Sequence, residues 1–321
     1  MRHVLIWVTA VALLLSSATK SAETPQQSIL ITGASTGIGR HLAEALAADG
    51  FHVYAGARKQ KDLDALDAID NITAVRLDVT IQEEVDAVVD IIEQSGTGLY
   101  ALVNNAGVGG GGAVGNTAIE EQRFVYEVNV EGVYRVTKAF SPLVIEAKGR
   151  IAITGSIAGT LSWAGGTAYA GSKHWMEAYA DGLAAELEPT GVSVSIIEPG
   201  NYQSFIRRNA VRRRFAAVEA AGGEITDEMK RMYAQTEARE LSYKLPDEVT
   251  AAFKHALTSD QPHKRYMVVP SADEHAVTIT TKIQQLVELN QWGPYRYDRE
   301  ALIGLLDVAL AEEARKQTPE E

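Results

Sequence analysis

The stretch Thr32-Gly33-Ala34-Ser35-Thr36-Gly37-Ile38-Gly39 decides the fold. It follows an apolar, strand-like run at 28–32 and precedes a helical pattern at 38–49. Glycines allow a tight turn and a close approach of the backbone to a ligand. The helix N-terminus adds unpaired N–H groups and the positive end of the helix dipole. The stretch therefore predicts a dinucleotide phosphate site, although its G-x-x-x-G-x-G spacing differs from G-x-G-x-x-G. A tight turn without a ligand is the alternative.

The same alternation of strand and helix continues along the chain. Strands are predicted at 51–57, 73–77, 99–103, 150–154, 192–197 and 265–269, and helices at 63–69, 85–92, 119–126, 130–146 and 169–188. Strands separated by helices indicate βαβ units with a parallel sheet. Because parallel crossovers are almost always right-handed, the simplest topology is a doubly wound α/β sheet, the Rossmann fold.

Composition excludes several classes of protein. The 321 residues are 46% hydrophobic with a formal net charge of −12, which argues against disorder and against nucleic acid as the partner. The chain has no cysteine, which excludes disulfides, cysteine-ligated metals and a cysteine nucleophile. The seven histidines show no metal-ligand spacing, so no metal site is predicted.

The chain divides into three predicted parts. Residues 1–27 combine a basic start with the apolar run 4–15, a pattern typical of a signal peptide or an N-terminal membrane anchor. A wrongly assigned start codon, which would leave a cytoplasmic protein, is the alternative. Residues 28–270 form a single Rossmann-type domain with a charged helical segment at 203–245. Residues 271–321 form a C-terminal helical extension, expected to pack on the sheet edge or over the mouth of the site.

The end of the second strand indicates which dinucleotide binds. In Rossmann folds an acidic residue near this point binds the ribose of NAD, whereas an arginine accommodates the 2′-phosphate of NADP. Position 57 is alanine and Arg58 follows it, so we predict NADP(H) in preference to NAD. Arg40 is a second candidate for that phosphate. Asp78, followed by Val79, is expected either to accept from the adenine amino group or to cap the next helix.

Tyr169 and Lys173 are the candidate catalytic pair. They lie four residues apart on one face of a predicted helix. An ammonium group beside a phenol favours the phenolate, so we expect Lys173 to lower the pKa of Tyr169 from about 10 towards neutrality. Tyr169 can then act as a general acid or base. Ser156, after the fifth strand, can hold a substrate carbonyl oxygen; an ordinary turn serine is the alternative.

Taken in order, these residues resemble the short-chain dehydrogenase/reductase family in its shorter, single-domain branch, nearest to the hydroxysteroid and retinol dehydrogenases. The resemblance covers about residues 28–269 and rests on Thr32–Gly39, Asn104–Gly107, Asn129, Ser156, Tyr169, Lys173 and Pro199-Gly200. It implies that Tyr169 exchanges a proton with the substrate oxygen, that Lys173 holds the nicotinamide ribose and that Ser156 binds the substrate oxygen. It also implies that Asn129 anchors a water of a proton relay, which requires an irregular helix at that point.

The expected cofactor contacts combine this resemblance with the Rossmann pattern. They are Gly33, Ser35, Thr36, Gly37, Ile38, Gly39, Arg58, Asp78, Val79, Asn105, Ala106, Gly107, Tyr169, Lys173, Pro199 and Gly200. The resemblance implies an NADP(H)-dependent oxidoreductase that moves a hydride between nicotinamide and an alcohol or carbonyl. A 3-ketoacyl-type reductase and a non-catalytic dinucleotide-binding protein are the alternatives. It also implies a homodimer or homotetramer formed through the helices at 130–146 and 169–188.

In this family the segment after Pro199-Gly200 usually shapes substrate specificity, so 203–245 is the expected substrate lid. Ser204 stands where the family usually has threonine. The residues expected to line an apolar pocket are Phe205, Ile206, Phe215, Met229, Met232 and Tyr233, which favours a steroid-, retinoid- or lipid-like substrate. The five arginines at 207, 208 and 212–214 are interpreted as a solvated helix face with glutamate partners. Recognition of an acidic substrate or of anionic lipid is the alternative.

Overall fold

The computed structural model describes residues 26–316. The predicted signal or anchor segment therefore lies outside the described residues, apart from its last two positions. None of the helices in the described range is long and apolar enough to cross a membrane.

One parallel sheet organises the described chain. Its strands are β1 (Ser28–Ile31), β2 (His52–Ala57), β3 (Ile72–Arg76), β4 (Ala101–Asn104), β5 (Arg150–Thr154), β6 (Ser193–Pro199) and β7 (Arg265–Val268). They pair in the order β3-β2-β1-β4-β5-β6-β7. The order reverses between β1 and β4, and this switch point creates the crevice in which doubly wound sheets bind ligands. The predicted Rossmann fold is confirmed, as one domain with C-terminal helices.

Helices connect the strands and cover both faces of the sheet. They are α1 (Gly37–Ala48), α2 (Gln60–Asp67), α3 (Gln82–Ser95), α4 (Ile119–Tyr126), α5 (Gly132–Glu146), α6 (Thr167–Leu187), α7 (Ile206–Ala220), α8 (Asp227–Leu241), α9 (Asp247–Thr258), α10 (Ala272–Leu289) and α11 (Arg299–Lys316). Leu30 packs in the core layer of α3, α5 and α6, whereas Ile29 and Ile31 pack in the layer of α1 and α9. Burial on both faces explains why the strands are continuously apolar.

Helix α2 begins earlier than the sequence pattern predicts. It starts at Gln60, three residues before the predicted start, and Gln60 Nε2 donates to Asp64 Oδ1 at 2.7 Å. Its first turn is polar, so the apolar periodicity becomes visible only at Leu63.

Helix α10 contacts the carboxyl edge of the sheet. Glu274 accepts hydrogen bonds from the backbone N–H and from Nδ2 of Asn201, both at 2.9 Å. Gln285 Nε2 donates to the Thr160 carbonyl at 3.2 Å. The first helix of the C-terminal extension therefore packs against Asn201, a residue that follows β6.

Candidate active site

The glycine-rich turn after β1 is fixed by its conformation and by its neighbours. Gly33 and Gly37 have φ values of +67° and +61°, in the left-handed region that favours glycine. A Cβ atom at Gly39 would lie 2.3 Å from Asn105 Nδ2 and 2.6 Å from the Gly33 carbonyl oxygen. Asn105 Nδ2 donates to the carbonyl oxygens of Thr32 and Gly33, at 3.0 and 3.2 Å. The end of β4 thus holds the turn open at the N-terminus of α1.

A cleft of about 860 Å³ opens at this edge of the sheet. The predicted site residues that line it are Gly33, Ser35, Thr36, Ile38, Gly39, Arg58, Asp78, Val79, Asn105, Ala106, Gly107, Ser156, Tyr169, Lys173, Pro199 and Gly200. Gly37 and Asn129 are not among the lining residues. A Cβ at Gly37 would lie 2.8 Å from the Ser204 carbonyl oxygen, so Gly37 packs behind the turn.

The end of the cleft beside β2 and β3 is cationic. The Arg58 side chain is 54% exposed, and its Nη1 atom lies 3.3 Å from Asp78 Oδ2. Burial alone would raise the pKa of Asp78, but hydrogen bonds from Thr80 and the charge of Arg58 hold it below its ordinary value. Lys59 and Lys61 also line this end. The side chain of Asp78 therefore binds Arg58 and Thr80, two residues ahead of α3, and does not cap that helix.

Arg40 does not line the cleft, so the expectation that it contributes to a phosphate site is wrong. Its guanidinium binds Glu44, one turn further along α1, and donates to the Ala65 carbonyl at 3.3 Å. These contacts hold the side chain between α1 and α2.

Tyr169 and Ser156 meet at the opposite end of the cleft. Desolvation raises the pKa of the Tyr169 phenol above its ordinary value, and this outweighs the hydrogen bond with Ser156 and the charge of Arg207, which both act to lower it. Ser156 Oγ accepts from the Ala158 N–H at 3.1 Å, which fixes the side chain. The predicted lowering of the tyrosine pKa by Lys173 is therefore wrong for this structure.

The position of Lys173 explains that difference. Its Nζ lies 5.8 Å from the centroid of the Tyr169 ring and donates to the Thr154 carbonyl at 2.7 Å. Burial lowers the pKa of Lys173 to about 8, and the nearby Glu177 carboxylate partly opposes this shift. The Lys173 ammonium group is thus bound to the end of β5. Its lowered pKa of about 8 lies near neutral pH.

Asn129 occupies an irregular segment between α4 and α5. Residues Glu127–Glu131 form a π-helix, the irregularity that the proposed relay role requires. The side chain is fully buried; its Nδ2 donates to the Val108 carbonyl and to Ser172 Oγ, both at 3.0 Å, and its Oδ1 accepts from the Val108 N–H at 2.8 Å. Asn129 ties α5, α6 and the loop after β4 together beside the catalytic residues.

The helices α7 and α8 lie over the cleft, but only part of the predicted apolar lining is correct. Phe205 and Ile206 line the cleft, whereas Phe215, Met229, Met232 and Tyr233 do not. The rings of Phe215 and Tyr233 face each other at 5.9 Å between centroids, so they hold α7 against α8. Met232 is 46% exposed. Helical periodicity identifies an apolar face but not which neighbour covers it.

Two kinds of lining residue were not expected from the sequence. Trp163 lines the cleft, with its ring centroid 6.4 Å from that of Tyr169. Four of the five lid arginines also line it, namely Arg207, Arg208, Arg212 and Arg213. The predicted glutamate partners exist for two of them: Arg208 pairs with Glu237 at 2.7 Å and Arg213 with Glu121 at 3.2 Å. The predicted solvated face with glutamate partners is therefore correct in part, and the same face also lines the cleft.

Comparison with known proteins agrees with this architecture. A family model described as short chain dehydrogenase matches residues 27–214. The mitochondrial D-beta-hydroxybutyrate dehydrogenase of Bos taurus is 34% identical over 265 residues, covering 75% of this chain and 76% of that protein. Retinol dehydrogenase 16 of Homo sapiens is 34% identical over 257 residues, covering 74% and 79%. A short chain dehydrogenase/reductase from Burkholderia phymatum in complex with NAD has a TM-score of 0.68 at 26% identity, covering 85% of this chain and 98% of that one.

Proposed function

The chain belongs to the short-chain dehydrogenase family, and on that premise we propose that it is an NADP(H)-dependent oxidoreductase. It transfers a hydride between nicotinamide and a hydrophobic alcohol or the corresponding ketone or aldehyde, with Tyr169 as general acid/base. The observation that carries the proposal is one continuous cleft, with the glycine-rich turn and Arg58 at one end and Ser156, Tyr169 and Lys173 at the other.

The residues of the turn fit a dinucleotide. A Cβ at Gly33 would lie 2.8 Å from the Ala106 Cα, and one at Gly39 would meet Asn105, so side chains are excluded where a pyrophosphate approaches the backbone. The cofactor supplies the hydride donor or acceptor at its nicotinamide ring. The turn at 33–39 would bind the pyrophosphate, and Pro199-Gly200 would contact the nicotinamide.

A side chain of this protein, the Tyr169 phenol, transfers the proton. In the reducing direction the Tyr169 O–H donates its proton to the substrate carbonyl oxygen, and Ser156 Oγ donates a hydrogen bond to the same atom. Lys173, whose Nζ lies 5.8 Å from the centroid of the Tyr169 ring, would hold the ribose hydroxyls of the cofactor. In the oxidising direction the phenolate accepts the proton from the alcohol.

The preference for NADP(H) is supported by charge at the end of the cleft beside β2. Arg58, Lys59 and Lys61 line this end, and residue 57 is an alanine that brings no carboxylate to repel a phosphate. The similar Burkholderia protein binds NAD, so the preference rests on these side chains alone.

The substrate proposal is supported by the apolar wall beside Tyr169. Leu161, Trp163, Phe205 and Ile206 line the cleft, and the Trp163 ring centroid lies 6.4 Å from that of Tyr169. The names of two relatives, hydroxybutyrate and retinol dehydrogenases, refer to alcohols of different size. We propose a steroid-, retinoid- or lipid-like carbon skeleton for this chain.

The test is a substrate panel assayed with NADPH and with NADH. We expect oxidation of NADPH with at least one hydrophobic ketone or aldehyde, and a kcat/KM with NADPH above that with NADH. Dinucleotide binding without turnover of any carbonyl or alcohol would instead favour the non-catalytic alternative.

We also propose a homodimer or homotetramer formed through α5 and α6. The supporting observation is an aromatic surface: Tyr134 is 56% exposed, and the ring of Tyr179 stacks on Trp175 at 4.6 Å. Light scattering should give an oligomer, and Tyr134→Glu should shift it towards the monomer. A monomer for the unsubstituted chain contradicts the proposal.

Residues 1–27 remain a proposed signal peptide or membrane anchor, ahead of the domain at 28–270 and the extension at 271–321. Cell fractionation combined with mass spectrometry of the N-terminus separates the cases. A cleaved N-terminus indicates a signal peptide, an intact membrane-bound chain indicates an anchor, and an intact soluble chain contradicts both.

A further inference from the structure

The cleft carries a charge opposite to that of the chain as a whole. The formal net charge of the chain is −12, yet eight cationic and three acidic side chains line the cleft. Arg58, Lys59 and Lys61 belong to the proposed phosphate end, and Lys173 belongs to the catalytic group. The four remaining cations lie on α7 and have no role in the proposed reaction.

A buried carboxylate holds the start of α7 in place. Glu240 of α8 is 1% exposed, and its two oxygens accept from the backbone N–H groups of Arg207 and Arg208, at 2.8 and 3.1 Å. Glu240 binds the backbone at the helix N-terminus and forms no ion pair with a guanidinium group in the described part of the chain. The fold therefore anchors these arginines at the cleft without bringing a carboxylate to each of them.

Two of the four guanidinium groups have only neutral partners among residues 26–316. Arg207 donates to the Tyr243 hydroxyl at 2.6 Å and to Asn201 Oδ1 at 2.7 Å. Arg212 lies over the Tyr233 ring, 5.4 Å from its centroid, and has no ion pair in the described part of the chain. Neither guanidinium group therefore forms an ion pair with a carboxylate in the described part of the chain.

The other two arginines retain unused donors. Arg208 and Arg213 have carboxylate partners, but the Nε of each is buried without a hydrogen-bond partner in the described structure. A buried donor without a partner costs free energy that an added acceptor recovers. Both side chains line the cleft, so their positive charges add to those of Arg207 and Arg212 there, whereas the two Nε atoms themselves are buried.

This arginine group, defined as Arg207, Arg208, Arg212 and Arg213, lies towards the catalytic end. The charge of Arg207 acts on the Tyr169 phenol. Arg213 Nη2 donates at 2.6 Å to the carbonyl of Gly109, in the loop that follows Gly107 at the end of β4. The group is thus placed to act on the molecule that reacts at Tyr169.

We infer that the substrate carries an oxyanion, bound by the guanidinium groups of Arg207 and Arg212 at the lid while its hydroxyl or carbonyl group reacts at Tyr169. The inference rests on the proposed function and narrows it to an amphipathic hydroxy or oxo acid. Guanidinium groups bind carboxylates and phosphates with parallel N–H donors, so the anion is a carboxylate or a phosphate. The apolar wall of Leu161, Trp163 and Phe205 accommodates the carbon chain between the two ends.

The experiment compares matched substrates that differ only in charge. Straight-chain 3-oxo acids of increasing length are assayed with NADPH against their methyl esters, with the coenzyme A thioesters as a third arm. We expect kcat/KM for the anionic substrate to exceed that for the ester by at least about tenfold, the effect of one charge-assisted hydrogen bond. Preference for the free acid over the methyl ester identifies a carboxylate, and preference for the coenzyme A thioester over the uncharged N-acetylcysteamine thioester identifies a phosphate.

Three variants locate the effect. Arg207→Gln and Arg212→Gln should each reduce the preference for the anion over the ester about tenfold. Arg214→Gln is the matched control, because it removes the same charge from the same helix at a position outside the cleft lining. Arg212 is exposed and forms no hydrogen bond within residues 26–316, so its variant tests the inference even if Arg207→Gln disturbs the lid.

The outcomes separate this inference from the proposed function. Turnover of neutral alcohols or ketones without a preference for the anion overturns the inference and leaves the function standing. If both variants keep the preference for the anion over the ester and show a raised KM for NADPH, the arginines bind the cofactor and the inference is overturned. Absence of turnover with every neutral and anionic compound overturns the proposed function and this inference with it.

Discussion

Replacing Lys173 by methionine should make the protein more stable while removing its activity. The lysine is buried, and its pKa falls from 10.5 to about 8 because burial penalises the charged form. At neutral pH the folded chain nevertheless carries most of this charge. Methionine has a similar length and no charge, so the substitution relieves the desolvation cost.

The magnitude follows from the pKa shift. A difference of one pKa unit corresponds to about 1.36 kcal/mol, so the buried ammonium costs about 3 kcal/mol at pH 7. Losing the hydrogen bond from Nζ to the Thr154 carbonyl offsets about 1 kcal/mol of that gain. The expected net stabilisation by Lys173→Met is about 2 kcal/mol at pH 7.

The sign of the pH dependence is also fixed. Because the folded pKa lies below the unfolded one, the cost is complete below about pH 8 and is relieved as pH rises to 10.5. The wild-type chain therefore gains stability relative to the variant over this window. At pH 10 the difference between the two should be close to zero.

Urea denaturation of the cofactor-free protein at pH 7 and at pH 10 measures this difference. Lys138→Met on the exposed face of α5 is the control and should show no comparable pH-dependent change. A variant that is less stable than wild type at pH 7, or a difference that does not shrink by pH 10, would refute the reasoning.

Further predictions concern the cofactor site. Arg58→Ala should raise the KM for NADPH on the order of tenfold, because NADPH presents a 2′-phosphate to this arginine. The KM for NADH, which lacks that phosphate, should change by less than about twofold. Steady-state kinetics with both cofactors measures the two values, and equal effects would contradict the prediction. Gly39→Ala should abolish dinucleotide binding in a fluorescence titration, because its Cβ would lie 2.3 Å from Asn105 Nδ2. Gly182→Ala in α6 is its matched control, because no atom outside the neighbouring helix backbone lies within 4 Å of the added Cβ. Thermal denaturation of this control should show a free energy of unfolding higher by about 0.5–1 kcal/mol.

The topology was predictable because its signals are local. Each signal depends on a few neighbouring residues: apolar runs, the glycines that follow β1, and helical periodicity. Together they define the order of strands and helices. The ends of strands β1, β2, β4 and β5 must meet at one edge of a parallel sheet, which explains why Gly33, Arg58, Asn105 and Ser156 line a single cleft.

The predictions that are wrong concern features that depend on long-range packing. Whether Phe215 lines a pocket or packs on Tyr233 is decided by how α8 folds back on α7, and no local pattern records that. The pKa of Tyr169 was expected to fall because Lys173 is one turn away. The lysine instead binds Thr154, so desolvation of the phenol dominates. Charge patterning located the lid arginines, but the capping of α7 by Glu240 decides that they line the cleft.

The most direct test of the central claim is Tyr169→Phe assayed with NADPH and a carbonyl substrate found in the panel. Loss of the proton donor should reduce kcat by about 10²–10⁴-fold while the dissociation constant for NADPH changes by less than about twofold. Tyr134→Phe, on the exposed face of α5, should retain full activity. A Tyr169→Phe variant with a kcat close to that of the wild-type chain would contradict the assignment of Tyr169 as general acid/base.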